Sequence, residues 1–139
     1  MIVCVAVDNK NGLMFNHRRQ SQDRVLRSDI LEVCRGQKLW IHTYSQSLFD
    51  ENEQKELIVD DAFLEKAESE DYCYVETNGL REYEGKISKI ILYRWNRDYP
   101  ADVYFEVNLQ NGNWEMISTS EFKGSSHDAI TKEVWKRVC

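Results

Sequence analysis

The run Ile2-Val3-Cys4-Val5-Ala6-Val7 constrains the fold more than any other feature of this chain. Six successive apolar residues leave no face for water. A strand covered on one side alternates, whereas a strand covered on both sides reads as an unbroken apolar run. Such a strand belongs in the middle of a mostly parallel sheet with helices on its faces, the architecture of α/β domains. Asp8-Asn9-Lys10-Asn11-Gly12 supplies turn chemistry directly after it.

The rest of the chain follows the same plan. A polar, arginine-rich loop runs to Gln22, and from Asp23 the apolar positions Val25, Leu26, Ile30, Leu31 and Val33-Cys34 recur at helical spacing until Gly36. Lys38–His42 reads as a second strand and Tyr44–Phe49 as one helical turn. Glu56–Val59 reads as a strand, Asp60 or Asp61 through Ala67 as a helix, and Tyr72–Val75 as a strand. This β-α-β order implies a mostly parallel sheet through right-handed crossovers. Lys89–Trp95 is the strongest strand signal. Val103–Phe105, Trp114–Ser118 and Ile130–Val138 read as further strands, with Asn111-Gly112-Asn113 as a tight turn. The last segment has a helical alternative capped by Ser126. At 139 residues, with no linker or repeat, residues 1–139 are read as a single domain.

Composition narrows the class of protein. No apolar run approaches the roughly 18 residues that cross a bilayer, and Met1 leads straight into a strand with no basic leader region, so a cytoplasmic location without a membrane partner is expected. The four cysteines are scattered without paired spacing, which reads as free thiols rather than disulfides or zinc ligands. His17, His42 and His127 are dispersed, so no metal is expected. The net charge of −6 is uneven. Residues 1–49 hold seven Lys and Arg against four Asp and Glu, residues 50–84 three against thirteen, and residues 85–139 eight against seven. The acidic centre repels phosphates, and with a pI near 5.1 nucleic-acid binding is disfavoured.

Three groups of residues carry candidate chemistry. Arg18, Arg19, Arg24 and Arg27 follow Gly12. Their planar forks suit a carboxylate or phosphate, and equally suit a basic rim that answers the acidic centre. His42 follows a buried strand and is the histidine expected at a cleft mouth. Tyr93-Arg94-Trp95-Asn96-Arg97-Asp98-Tyr99 interleaves aromatic and basic side chains, which can stack on nucleic acid or simply end a core strand. Ser126-His127-Asp128 are sequence neighbours, and a Ser-His-Asp triad cannot be assembled from that spacing.

Several of these segments together resemble dihydrofolate reductase. Met1–Asp8 followed by Gly12-Leu13 is similar to that family's opening strand and the glycine before its active-site loop. Leu26-Arg27-Ser28-Asp29-Ile30-Leu31 resembles the start of its first helix, and Leu39-Trp40-Ile41 its next strand. Ile90–Tyr93 through Asp102–Phe105 resembles, without a gap, the strand and Asp-x-x-Phe close near its end. Trp114-Glu115 and Ser126-His127 follow the tail of the bacterial enzymes. The resemblance covers about residues 1–49 and 85–139. It implies a reductase-like, mostly parallel central sheet with flanking helices and a C-terminal antiparallel hairpin. It also implies that Asp29 is the catalytic carboxylate, at a helix start in the cleft, with a helix-dipole role as its structural alternative and Asp23 as a rival N-cap.

The middle departs from the family. Where the resemblance calls for a glycine pair that lets backbone N–H groups approach the NADPH diphosphate, the chain reads Val75-Glu76-Thr77-Asn78-Gly79, with a carboxylate at the critical place. The family's Gly-Arg-x-Thr turn reads Ile41-His42-Thr43-Tyr44-Ser45, and the segment from Phe49 to Tyr72 is short for adenine-binding strands. The expectation is therefore a divergent reductase-like protein with no cofactor, binding a small polar or aromatic ligand or a partner protein. The alternative is an enzyme using Asp29 with the Arg18–Arg19 loop. One cleft is expected to gather Asp29 with Arg18, Arg19, His42 and Tyr93.

Overall fold

The computed structural model describes residues 1–77 and 79–139. Its strands are β1 (Ile2–Val7), β2 (Gly12–Phe15), β3 (Arg18–Arg19), β4 (Leu39–Ile41), β5 (Leu57–Val59), β6 (Tyr72–Val75), β7 (Lys89–Arg94), β8 (Val103–Tyr104), β9 (Trp114–Phe122) and β10 (Ile130–Arg137). Helix α1 (Arg24–Val33) is the longest helix, α2 (Glu51–Gln54) and α3 (Phe63–Lys66) are single turns, and Thr43–Leu48 and Leu80–Lys86 are 3-10 turns.

The main sheet has the order β5-β4-β6-β1-β7-β10-β9. The five strands from β5 to β7 are parallel, and β10 and β9 join as an antiparallel edge. β1 is central, with Val3, Val5 and Val7 in the core on one face and Cys4 and Ala6 in the core on the other. That two-sided burial is the physical cause of the unbroken apolar run. The Ile130–Val138 segment is strand rather than helix, because it pairs with β7 from Thr131 to Lys136. No helix among the described residues is long and apolar enough to cross a membrane.

Three expectations change. The stretch after β1 is not an irregular loop. Gly12–Phe15 and Arg18–Arg19 form a hairpin, and β8 pairs on the other side of β2 to make a separate three-stranded sheet. The turn places Asn16 and His17 at φ 53° and 63°, the left-handed pair that a two-residue hairpin demands and that asparagine and histidine adopt more readily than bulkier residues. The second change concerns Asp29. α1 begins at Arg24, capped by Asp23, whose side chain accepts the N–H groups of Val25 and Leu26. Asp29 therefore stands mid-helix, and the carboxylate at the helix start is Asp23. In the middle of the chain the predicted helix from Asp60 or Asp61 shrinks to Phe63–Lys66.

Candidate functional site

In this sheet the chain leaves β1 towards β4 and leaves β6 towards β7, in opposite directions, so the order reverses between β6 and β1. Ligands of open α/β sheets collect outside the strand ends at such a reversal. Three segments meet there: the β2–β3 hairpin, the turn after β4, and the residues after β6.

The hairpin is held over the crevice by Asp8 at the end of β1. Its buried carboxylate accepts the N–H groups of Lys10, Gly12 and Tyr99 at 2.9, 2.8 and 3.2 Å, and the Gln20 amide at 3.0 Å. Burial opposes its ionisation, but these donors outweigh it and hold the carboxyl below its ordinary range. Gly12 is required by close approach, since a Cβ there would lie 2.5 Å from the Gln20 amide nitrogen and 2.7 Å from the Ala101 Cβ.

Arg19 then reaches into the crevice. Its Nε and Nη2 donate to Glu76 Oε2 and Oε1 at 2.8 and 3.1 Å, a bidentate fork on a carboxylate that is only 6% exposed. The guanidinium carbon lies 4.6 Å from the centre of the Tyr44 ring, and Nη2 also donates to the Tyr44 carbonyl at 3.3 Å. The Arg19 N–H donates to the Tyr44 hydroxyl at 2.8 Å, and the buried Ser45 hydroxyl donates to Glu76 Oε1 at 2.7 Å. Burial works against the charge on Arg19, yet the Glu76 carboxylate outweighs it and pushes its pKa up. Glu76 also helps to raise the buried Tyr74 phenol, after burial itself. The Gly79 N–H is likewise taken from within the chain, by Glu106 Oε1 at 3.2 Å. Asn78 lies outside the described residues.

This donor set does not fit a dinucleotide diphosphate. A buried carboxylate stands at the position that the resemblance gives to the diphosphate, and the arginine beside it is already paired with it.

Beside Tyr44 opens a cavity of about 410 Å³, lined by Met14, His17, His42, Tyr44, Thr77 and Val103. His42 Nδ1 accepts the Tyr44 N–H at 3.0 Å, and its Nε2 is 3.4 Å from Asp61 Oδ1. A larger cavity of about 630 Å³ lies between α1 and α2. Its lining carries Glu32, Glu53 and Glu56 and lies away from the order reversal, so the smaller one is the candidate site.

The expected single cleft is divided. Asp29 stands on α1, over the face whose core includes Leu26, Ile30 and Tyr93, whereas Met14, Tyr44 and Val103 belong to the core of the opposite face. Asp29 Oδ2 accepts the Tyr93 hydroxyl at 2.6 Å and the Lys132 ammonium at 2.9 Å, and it lines a different cavity of about 440 Å³ with Ser28, Ser120 and Lys132. Burial, with the Asp29 carboxylate adding to it, raises the pKa of Tyr93 far above its ordinary value, so it remains a phenol and a donor. Arg19 and His42 do meet, through Tyr44. Arg18 is exposed on the hairpin, opposite Phe15.

Sequence reasoning missed a buried network behind the hairpin. His127 Nδ1 lies 3.1 Å from Asp23 Oδ2, and His127 Nε2 lies 3.0 Å from the Ser21 hydroxyl and 3.1 Å from that of Tyr99. The imidazole stacks on Trp95, centroids 4.5 Å apart. Asp23 also accepts the N–H groups of Ser125 and Ser126 at 3.1 and 2.8 Å. The order Asp-His-Ser is that of a catalytic triad, but a second hydroxyl shares Nε2, so the network is closed on itself and ties residues 21–23, 99 and 125–127 together. Gly124 permits it, since a Cβ there would sit 2.3 Å from Asp23 Oδ2. The N-cap was legible beforehand, but its imidazole partner, 104 residues away, was not. Among the described residues no group of three His, Cys, Asp or Glu is placed to hold a metal ion.

No protein-family model matches the chain, and no curated protein matches it by sequence. Its shape is shared. Dihydrofolate reductase from Enterococcus faecalis, in a complex with NADP(H) and RAB-propyl, superposes with a TM-score of 0.68 over 100% of this chain and 97% of that one, at 11% sequence identity. The fold is that of dihydrofolate reductase.

Proposed function

We propose that this chain is a small-ligand-binding domain on a dihydrofolate reductase fold that works without a dinucleotide. The observation that carries the reading is the Arg19–Glu76 ion pair in the crevice at the order reversal. The chain's own side chains take up the hydrogen bonds that a diphosphate would make, while the neighbouring cavity of Met14, His42, Tyr44 and Val103 stays open. That cavity has apolar walls and two imidazoles, a mixture suited to a small planar ring with a few polar atoms. In this reading His42 is the polar group at the mouth, Tyr44 forms the inner wall with Arg19 packed behind its ring, and Arg18 lies on the rim.

A second reading places chemistry at Asp29. One of its oxygens holds a phenol and an ammonium, which leaves the other free to exchange a proton with a ring bound over Ser28 and Lys132. A thermal-shift panel of pterins, folates, nucleosides and free nucleobases separates the two. A ligand at 100 times its dissociation constant adds about 2.7 kcal/mol, a rise of roughly 9 °C for a domain of this size. The expected hit loses its shift in His42→Ala and Tyr44→Ala and keeps it in Asp29→Asn. The reverse pattern would move the function to the Asp29 cavity and overturn the first reading.

A further inference from the structure

The arginines after Gly12 suggested an anion site, and the structure reverses the sign. Arg19 is not presented to a ligand. It is gripped as one: a carboxylate takes two of its N–H groups side by side, the Tyr44 carbonyl takes a third contact, and the Tyr44 ring covers its plane. Two acceptor oxygens on a fork, with an aromatic face across the plane, is how proteins recognise planar delocalised cations. Ser45 fixes the carboxylate by donating to Oε1, so the acceptor geometry does not depend on Arg19 alone. The side chain reaches this place from a hairpin whose last strand is two residues long and whose turn is exposed.

We infer that the crevice formed by Glu76, Tyr44 and Ser45 is a binding site for planar cations of the guanidinium and amidinium class, and that Arg19 is its tethered resident. Ligand entry requires the β2–β3 hairpin to release Arg19, so the hairpin sets the apparent affinity through the fraction of time it is open. The inference rests on the reading of the adjoining cavity as a ligand site without a dinucleotide, extends that site into the Glu76 crevice, and names the ligand class. The charge of the acidic centre, which repels phosphate, favours such a ligand over the long range.

The test titrates benzamidinium chloride into wild type and Arg19→Ala by calorimetry, with inorganic phosphate as the anionic control. Arg19→Ala should bind benzamidinium at least about tenfold more tightly than wild type, because the competing resident is gone. Adding Glu76→Gln should remove that binding, and phosphate should give no heat in any variant. Wild type supplies a readout that needs no substitution: benzamidinium should shift the Arg19 Nε–H resonance as the fork on Glu76 is exchanged. Equal affinity in wild type and Arg19→Ala, binding that survives Glu76→Gln, or an unmoved Arg19 resonance at saturating benzamidinium would overturn the inference. If it fails while a ligand of the thermal-shift panel still depends on His42 and Tyr44, the cation assignment alone is lost. If both fail, the crevice is not a ligand site.

Discussion

Replacing Asp23 by alanine is expected to destabilise the protein by about 3–5 kcal/mol, which lowers the melting temperature by roughly 10–17 °C. The N-cap contributes about 1 kcal/mol of this. The rest comes from the groups it strands, the part-buried N–H groups of Ser125 and Ser126 and the buried His127 imidazole, at about 1 kcal/mol each, the low end for a group left without a partner. The loss should depend on pH in a set direction. Burial resists ionisation of Asp23, but the N–H groups of Ser126 and Ser125, His127 and the Leu26 N–H outweigh it and hold the carboxyl far below its ordinary value. A carboxylate depressed in the folded state contributes stability in full above its unfolded pKa of about 3.9, and the contribution fades as pH falls towards the folded value. Denaturant titrations at pH 7 and pH 3 should therefore show the gap between wild type and Asp23→Ala narrowing in acid. A gap that stays constant would mean that the charge on Asp23 does not matter and only its shape does.

Glu76→Ala should cost about 2–4 kcal/mol, because it leaves a largely buried guanidinium without a counter-charge and the Ser45 hydroxyl without its acceptor. Arg19→Ala should cost less, since the hairpin keeps its main-chain bond to the Tyr44 hydroxyl. The double variant should be more stable than the sum of the single losses predicts, by roughly 1–3 kcal/mol of coupling. Simple additivity in urea denaturation would show that the fork on Glu76 contributes little.

The parts of the fold legible in the sequence were those that burial imposes residue by residue. β1, β6 and β7 are apolar on both faces because both faces are covered, and α1 shows its phase through Val25, Leu26 and Ile30. The β2–β3 hairpin was not legible. Arg18-Arg19 carries no strand pattern, and the turn that closes it uses asparagine and histidine at positive φ rather than glycine. The helix-start carboxylate was assigned to Asp29 from its place in a resembling segment, whereas the capping geometry belongs to Asp23. At the site the charges were visible singly. Glu76 was read as hostile to a diphosphate and Arg19 as an anion ligand or part of a basic rim answering the acidic centre, but the two are 57 residues apart, and no periodicity links groups joined only by the crossover of a sheet. His42 was placed at a cleft mouth by the strand before it, and it lines the cavity there.

In the proposed reading the crevice at the order reversal is filled by the Arg19–Glu76 ion pair and takes no dinucleotide. Calorimetric titration of NADPH into the wild-type protein at low salt, where any attraction for phosphate is strongest, tests it directly. No binding tighter than about millimolar is expected, which corresponds to about 4 kcal/mol. A micromolar dissociation constant, with Arg19 released from Glu76 on binding, would contradict it.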